Sequence, residues 1–205
     1  MAVATAPRRA ATPATVTATA YDERDHRTSP VVVGAALAVV ADAMVLGGLL
    51  AAYFGLRASS FDWPPKGVSH GTYMPAVITL TVLMGVASVQ WAAYALRRGD
   101  RRNCLIGLAM TMTFGLAVVN GEWYGFGRSG FGISKHAYGT LHDALIGFHL
   151  INVLVAIVVL GVVFVHTLAG ASDDDRPGAV QAIALFWHFT TATWLVIFSV
   201  LYLAT

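Results

Sequence analysis

Residues 138–153 read YGTLHDALIGFHLINV. They enter an apolar run long enough to span a bilayer, yet they carry His142, Asp143, His149 and Asn152. Polar groups are costly in hydrocarbon and turn toward protein, water or another subunit rather than toward acyl chains. On a helix, His142 and His149 are seven residues apart and Asn152 is three further on, so the three share one face over about 15 Å of rise. This face decides the reading: a membrane helix with a polar stripe that needs a partner.

Composition agrees. Of 205 residues, 57% are hydrophobic and 12% charged, with mean hydropathy +0.66, against roughly 25% charged residues in an ordinary soluble domain. The single cysteine, Cys104, excludes an internal disulfide framework and any paired-thiol metal or redox motif. The net charge is +2, but the arginines sit beside apolar segments and read as topology signals, not as a nucleic-acid surface.

Residues 1–29 are rich in Ala, Thr and Pro and then in charge (YDERDHR), with no apolar period to bury, and are expected to form a disordered cytoplasmic tail. Residues 30–205 are expected to form an all-α bundle of five transmembrane helices. The segments run over about 31–54, 73–96, 104–124, 141–169 and 180–204, each near the roughly 20 residues that cross about 30 Å of hydrocarbon. Nine Lys and Arg fall on one side of this arrangement: Arg8, Arg9, Arg24, Arg27, Arg97, Arg98, Arg101, Arg102 and Arg176. Four fall on the other: Arg57, Lys66, Arg128 and Lys135. The excess of positive charge on the cytoplasmic side places the amino terminus inside and the carboxyl terminus outside a bacterial cell membrane. Gly34, Gly47 and Gly48, with many alanines, suit the first helix to close helix contact and an assembly role.

Asp42 lies near the middle of the first segment. A bare carboxylate there is expensive, so a neutral acid bonded to a neighbouring helix is expected, with a proton-linked or lipid-contacting acid as the functional reading. Glu122, between Gly121 and Trp123–Tyr124, is either an ordinary interfacial carboxylate or a partner for His142 or His149. Histidines seven apart on a helix are about 10 Å apart, too far to share one metal ion with bonds near 2 Å. His149 and His188 lie on consecutive helices and could meet, but hydrogen bonding satisfies such a pair more simply, and no metal site is expected. No G-x-S-x-G, Walker loop, C-x-x-C-H or G-x-G-x-x-G motif is present, so the chain offers no self-contained catalytic site. The residues alone leave open a small transporter or proton channel using Asp42, Glu122 and the histidines.

Six short motifs in order carry a resemblance: ADAMVLGGLLAAYF at 41–54, DWPP at 62–65, RRGDR at 97–101, GEWY at 121–124, YGTLHDALIGFHLINV at 138–153 and FWHFTTATWLVIFSVLYL at 186–203. Together the chain from 31 to 205 resembles subunit III of haem–copper oxidases, in a shorter bacterial form without the first two of seven helices. Tyr138, Gly139, Gly147, Phe148 and His149 match one family signature, and Trp187, His188, Phe189 and Trp194 match another. The resemblance implies a subunit without cofactors of its own, packed on the catalytic subunit I. Haem and copper are then held by subunits I and II. It also implies a V-shaped cleft, between the first two helices and the others, that holds phospholipid and that Asp42 faces. Support of proton uptake in aerobic electron transport follows from the same likeness. The chain departs from the family pattern at His142, Asp143, Asn152 and Thr191, where other residue types are usual. Similar divergent members accompany nitric oxide reductases, so an accessory subunit of such a reductase is the alternative.

Overall fold

The computed structural model describes residues 29–65, 71–128, 136–170 and 176–203. The expected amino-terminal tail, Lys66, Lys135 and the acidic run 173–175 lie outside the described residues. Five helices follow one another, α1 (Pro30–Ser59), α2 (Tyr73–Arg97), α3 (Arg101–Arg128), α4 (Ala137–Ala169) and α5 (Arg176–Phe198), and a π-helical turn, Ser199–Leu203, ends the last. All five are long and apolar enough to cross a membrane, and no strand occurs among the described residues. The chain is thus an all-α, multi-pass membrane protein.

The helices run past the expected limits where local chemistry extends them. α4 starts at Ala137, four residues before the apolar run, because the His136 side chain caps it, accepting from the Gly139 N–H at 2.9 Å. It stops at Gly170, whose φ of +76° is the left-handed value that glycine adopts without strain. Between α2 and α3 the turn RRGDR closes through Gly99 at φ +73°. Asp100 then caps α3, accepting from the Asn103 N–H at 3.0 Å and from the Asn103 side-chain amide.

These bonds, the backbone N–H of Asn103 first, hold the Asp100 carboxyl below its ordinary value of 3.8. A carboxyl lowered in the folded state stabilises it fully above the ordinary value, and that contribution fades as pH falls through the lower folded value. Asp100→Ala is therefore expected to lower the thermal midpoint modestly at neutral pH, with the difference from wild type vanishing in strong acid. A midpoint series against pH in detergent measures it; a gap that persists unchanged in strong acid contradicts the capping role.

The helices α2, α3, α4 and α5 close a four-membered ring, each packed on the next, and α1 lies outside it against α5 and α4. Close approach depends on glycines. A Cβ on Gly107 would stand 2.8 Å from the Ala92 Cβ, and one on Gly115 2.8 Å from Ile157 Cγ1. α2 and α3 are also tied by Ser88 and Thr111, 2.7 Å apart between hydroxyls. Trp187 of α5, 1% exposed, fills the space left by Gly85 of α2.

The ends of the helices sort into two sets. Ser29 abuts Gly178 at the starts of α1 and α5, and the Arg101 guanidinium donates to the carbonyls of Thr167, at 2.8 Å, and Leu168, at the end of α4. At the opposite end Tyr53, Trp63 and Tyr138 pack edge to face, with centroids 5.2 Å (Tyr53–Trp63) and 5.1 Å (Trp63–Tyr138) apart. Arg97, Arg98, Arg101 and Arg102 thus gather at one end, as the alternating-span reading requires.

α1 departs from expectation. Only Leu46 and Tyr53 of its 30 residues are buried, and a Cβ on Gly34, Gly47 or Gly48 would meet nothing within 4 Å. The close contact expected of these glycines is not made among the described residues. Nor do α1 and α2 pair as one wall of a V: α2 packs on α3 and α5, and α1 on α5 and α4.

Candidate functional site

The face of α4 that carries the polar stripe turns inward. His142, Asp143, His149 and Asn152 are all buried, because the opposite face (Ile151, Leu154, Val155, Val158) is apolar and exposed to the membrane. The stripe is not one site. It divides into two hydrogen-bonded groups, as the seven-residue separation of the histidines requires.

The deeper group joins α3, α4 and α5. His149 Nδ1 donates to Glu122 Oε1, and both side chains are wholly buried. Of the two readings for Glu122, pairing holds, and the partner is His149. Its neighbours Trp123 and Tyr124 are exposed, so the aromatics meet the membrane while the acid faces inward. The Trp194 ring packs at a tilt against the His149 imidazole, with centroids 4.9 Å apart, and its indole N–H donates to Thr79 Oγ1 at 2.8 Å, linking α2 to the group. The second atoms, Glu122 Oε2 and His149 Nε2, and the amide nitrogen of Asn152, are buried without a protein partner among the described residues. Buried polar atoms of this kind are normally bonded, so this pocket is highly polar for its depth.

The outer group is local. His142 Nδ1 lies 3.1 Å from Asp143 Oδ1 and its Nε2 lies 3.4 Å from the Tyr202 hydroxyl. With Nδ1–H donating to the carboxylate, Nε2 accepts from Tyr202. The π-helical turn at the end of α5 carries Tyr202, and Tyr138 flanks the same imidazole. A tyrosine two residues from the end of a long apolar run gave no sequence signal; only the fold brings it to His142.

His188 does not meet His149. Its Nδ1 donates to the Ala184 carbonyl, and its Nε2 lies 2.9 Å from Gln90 Nε2 of α2. Since Nδ1 carries the proton, Nε2 accepts from the Gln90 amide. Gln90 was not singled out in the sequence, although a glutamine inside an apolar span is a signal for such a partner. Thr191, where an acid is usual in the resembling family, donates to the Trp187 carbonyl of its own helix at 3.0 Å. Asp42 is half-buried on α1, and the bond to a neighbouring helix expected of it is not found among the described residues. Among those residues, no group of three or more His, Cys, Asp or Glu side chains is placed to hold a metal ion. What the arrangement can do chemically is hold protons and lock helices together in hydrocarbon.

Comparison with known proteins adds the family. The family model described as "Cytochrome c oxidase subunit III" matches residues 19–205. The chain is 25% identical to "Cytochrome c oxidase subunit 3" of Thermostichus vulcanus over 92% of its own length and 94% of the relative's. It is 27% identical to "Probable cytochrome c oxidase subunit 3" of Mycobacterium bovis over 90% and 94%. Against the protein named "Cytochrome c oxidase subunit 3" of Equus caballus, identity is 28% over 68% of this chain and 54% of that one, so the chain matches two bacterial relatives in length and about half of the horse one. With five membrane helices and the GEWY acid paired to the FHLINV histidine, the chain belongs to the cytochrome c oxidase subunit III family.

Proposed function

We propose that this subunit III supports a haem–copper respiratory oxidase without a catalytic centre of its own, packing beside subunit I and retaining phospholipid near Asp42. Membership of the family makes it a membrane subunit of a complex with other oxidase subunits. In this proposal haem and copper reside in subunits I and II. The observation that carries the reading is a pair of bonds between helices: Glu122–His149 ties α3 to α4 and Trp194–Thr79 ties α5 to α2, as a scaffold subunit requires.

Asp42 supports the lipid role. It is half-buried on the least covered helix, with no protein partner among the described residues, where a phospholipid headgroup or a proton from water can reach it. The arginine-rich end of the bundle is assigned to the cytoplasm, with the carboxyl terminus outside. Arg97, Arg98, Arg101 and Arg102 stand together there.

Affinity purification from native membranes in mild detergent tests the assignment. It is expected to recover a haem–copper subunit I and a subunit II; recovery of neither overturns it. Haem b with non-haem iron in the recovered complex would assign the chain to a nitric oxide reductase instead. Asp42→Ala is expected to leave initial electron transfer intact while reducing bound phospholipid and the number of turnovers before inactivation. Loss of haem or copper in that variant contradicts a supporting role.

A further inference from the structure

The outward stripe of α2 runs through Tyr73, Val77, Leu80, Met84, Ala87, Gln90, Trp91 and Tyr94, all exposed, and it is apolar or aromatic except at one place. Gln90 lies seven residues before Arg97, so about 10 Å along the helix from the arginine-rich end. If those arginines sit at the membrane surface, its amide is within the hydrocarbon, beyond the reach of headgroups. His188 of α5 takes up one of its N–H groups. That is the one bond the Gln90 amide makes among the described residues, and the side chain is exposed, so its carbonyl and second N–H are left in a medium that offers them nothing.

The neighbouring positions are small. Ala87 lies one turn from Gln90 on α2, and Ala192 one turn from His188 on α5, and both are exposed. Small residues next to a polar group let a second helix approach closely and complete a hydrogen bond in the membrane. The pairs Glu122–His149 and Ser88–Thr111, which also join helices, lie wholly inside the bundle, whereas Gln90 of the Gln90–His188 pair is exposed. The rest of the stripe offers flat apolar and aromatic surface, with Trp91 40% and Tyr94 52% exposed.

We infer that the α2–α5 face centred on Gln90 and His188 docks a transmembrane helix of another oxidase subunit, one that presents a hydrogen-bonding side chain about 10 Å from its arginine-side end. This rests on the proposed place of the chain in an oxidase complex and names the surface through which it is held. Gln90 donates to His188 Nε2, which fixes the amide's rotation and aims its carbonyl and second N–H at the incoming helix. His188 is in turn fixed by Ala184, so the pair is a positioned polar contact rather than a free side chain.

The test uses the intact complex in native membranes, with a photo-crosslinking amino acid placed at Ala87 and, as a second site, at Val158 on the far side of α4. The expected result is a crosslink from position 87 to another oxidase subunit. A crosslink from 87 only to lipid, or to a second copy of this chain, while the complex co-purifies intact, overturns the inference and leaves the proposed function standing. Failure to co-purify any oxidase subunit removes both. Gln90→Leu also removes the internal bond to His188, so it is read against His188→Leu, which loses the same bond but keeps the amide: the two midpoints as isolated subunits are expected to agree, while retention of Gln90→Leu in the complex through detergent washing falls roughly 3- to 30-fold below that of His188→Leu, as loss of one interhelical bond in a membrane implies. Unchanged retention also overturns it.

Discussion

Gly85→Leu is expected to unfold the bundle or prevent its assembly. The Cβ alone would stand 2.5 Å from Trp187 Cζ2 and 2.7 Å from both Cε2 and Nε1, and the ring cannot swing aside. It is 1% exposed, its far edge lies close against Gly115 of α3, and its N–H faces the Val82 carbonyl at 3.4 Å. Overpacking a closed core costs about 1–3 kcal/mol even for added methylenes, and an isobutyl group here must separate α2 from α5. Gly85→Ala is the graded form. Its gain in helix propensity, about 1 kcal/mol, offsets part of the clash, so a net loss of at most about 2 kcal/mol is expected. Trp187→Phe in the same chain clears the space and should recover part of it. Unfolding midpoints in detergent, compared across the three variants, check this. A leucine at 85 with wild-type stability would show that Trp187 does not occupy this space.

The second large effect belongs to Glu122 and His149. Both are fully enclosed and bonded to one another, and removing one partner of a buried ionisable pair leaves the other without compensation, a loss of about 3–5 kcal/mol. Glu122→Ala is expected to lose stability on that scale. His149→Ala should lose a similar amount and also leave the Trp194 ring without its tilted imidazole neighbour. The double variant should lose about 1–3 kcal/mol less than the sum of the two, because the orphaned group is gone in each case. Additive losses would mean that the two side chains do not bond. Glu122→Gln retains a hydrogen-bonding oxygen and should fall between wild type and alanine.

Much of the fold was legible in the sequence, and for a single reason. Spans are recognised by summed transfer free energy over about 20 residues, a local quantity that neighbours in space do not alter. The five segments therefore emerged with their order and alternation, and caps at His136 and Asp100 extended two helix starts by four and three residues into polar sequence. The importance of Glu122, His149 and His188 was also legible, since polar groups in apolar runs demand partners.

Which partners they take was not. His149 was equally free, on sequence, to meet Glu122 or His188; the rotation and register of α3 and α5 around α4 gave it Glu122 and Trp194. His188 went to Gln90, and His142 to Asp143 and Tyr202. Asp42, expected to bond across to another helix, stands without such a bond among the described residues. By itself the sequence determined that this chain crosses a membrane five times and buries polar groups that need satisfying. Only the tertiary structure decided that four helices close around Trp187 with α1 outside, and which polar groups meet. Hydrophobicity fixes the depth of a helix but is nearly blind to its rotation, which is set by where glycines such as Gly85, Gly107 and Gly115 let another helix approach.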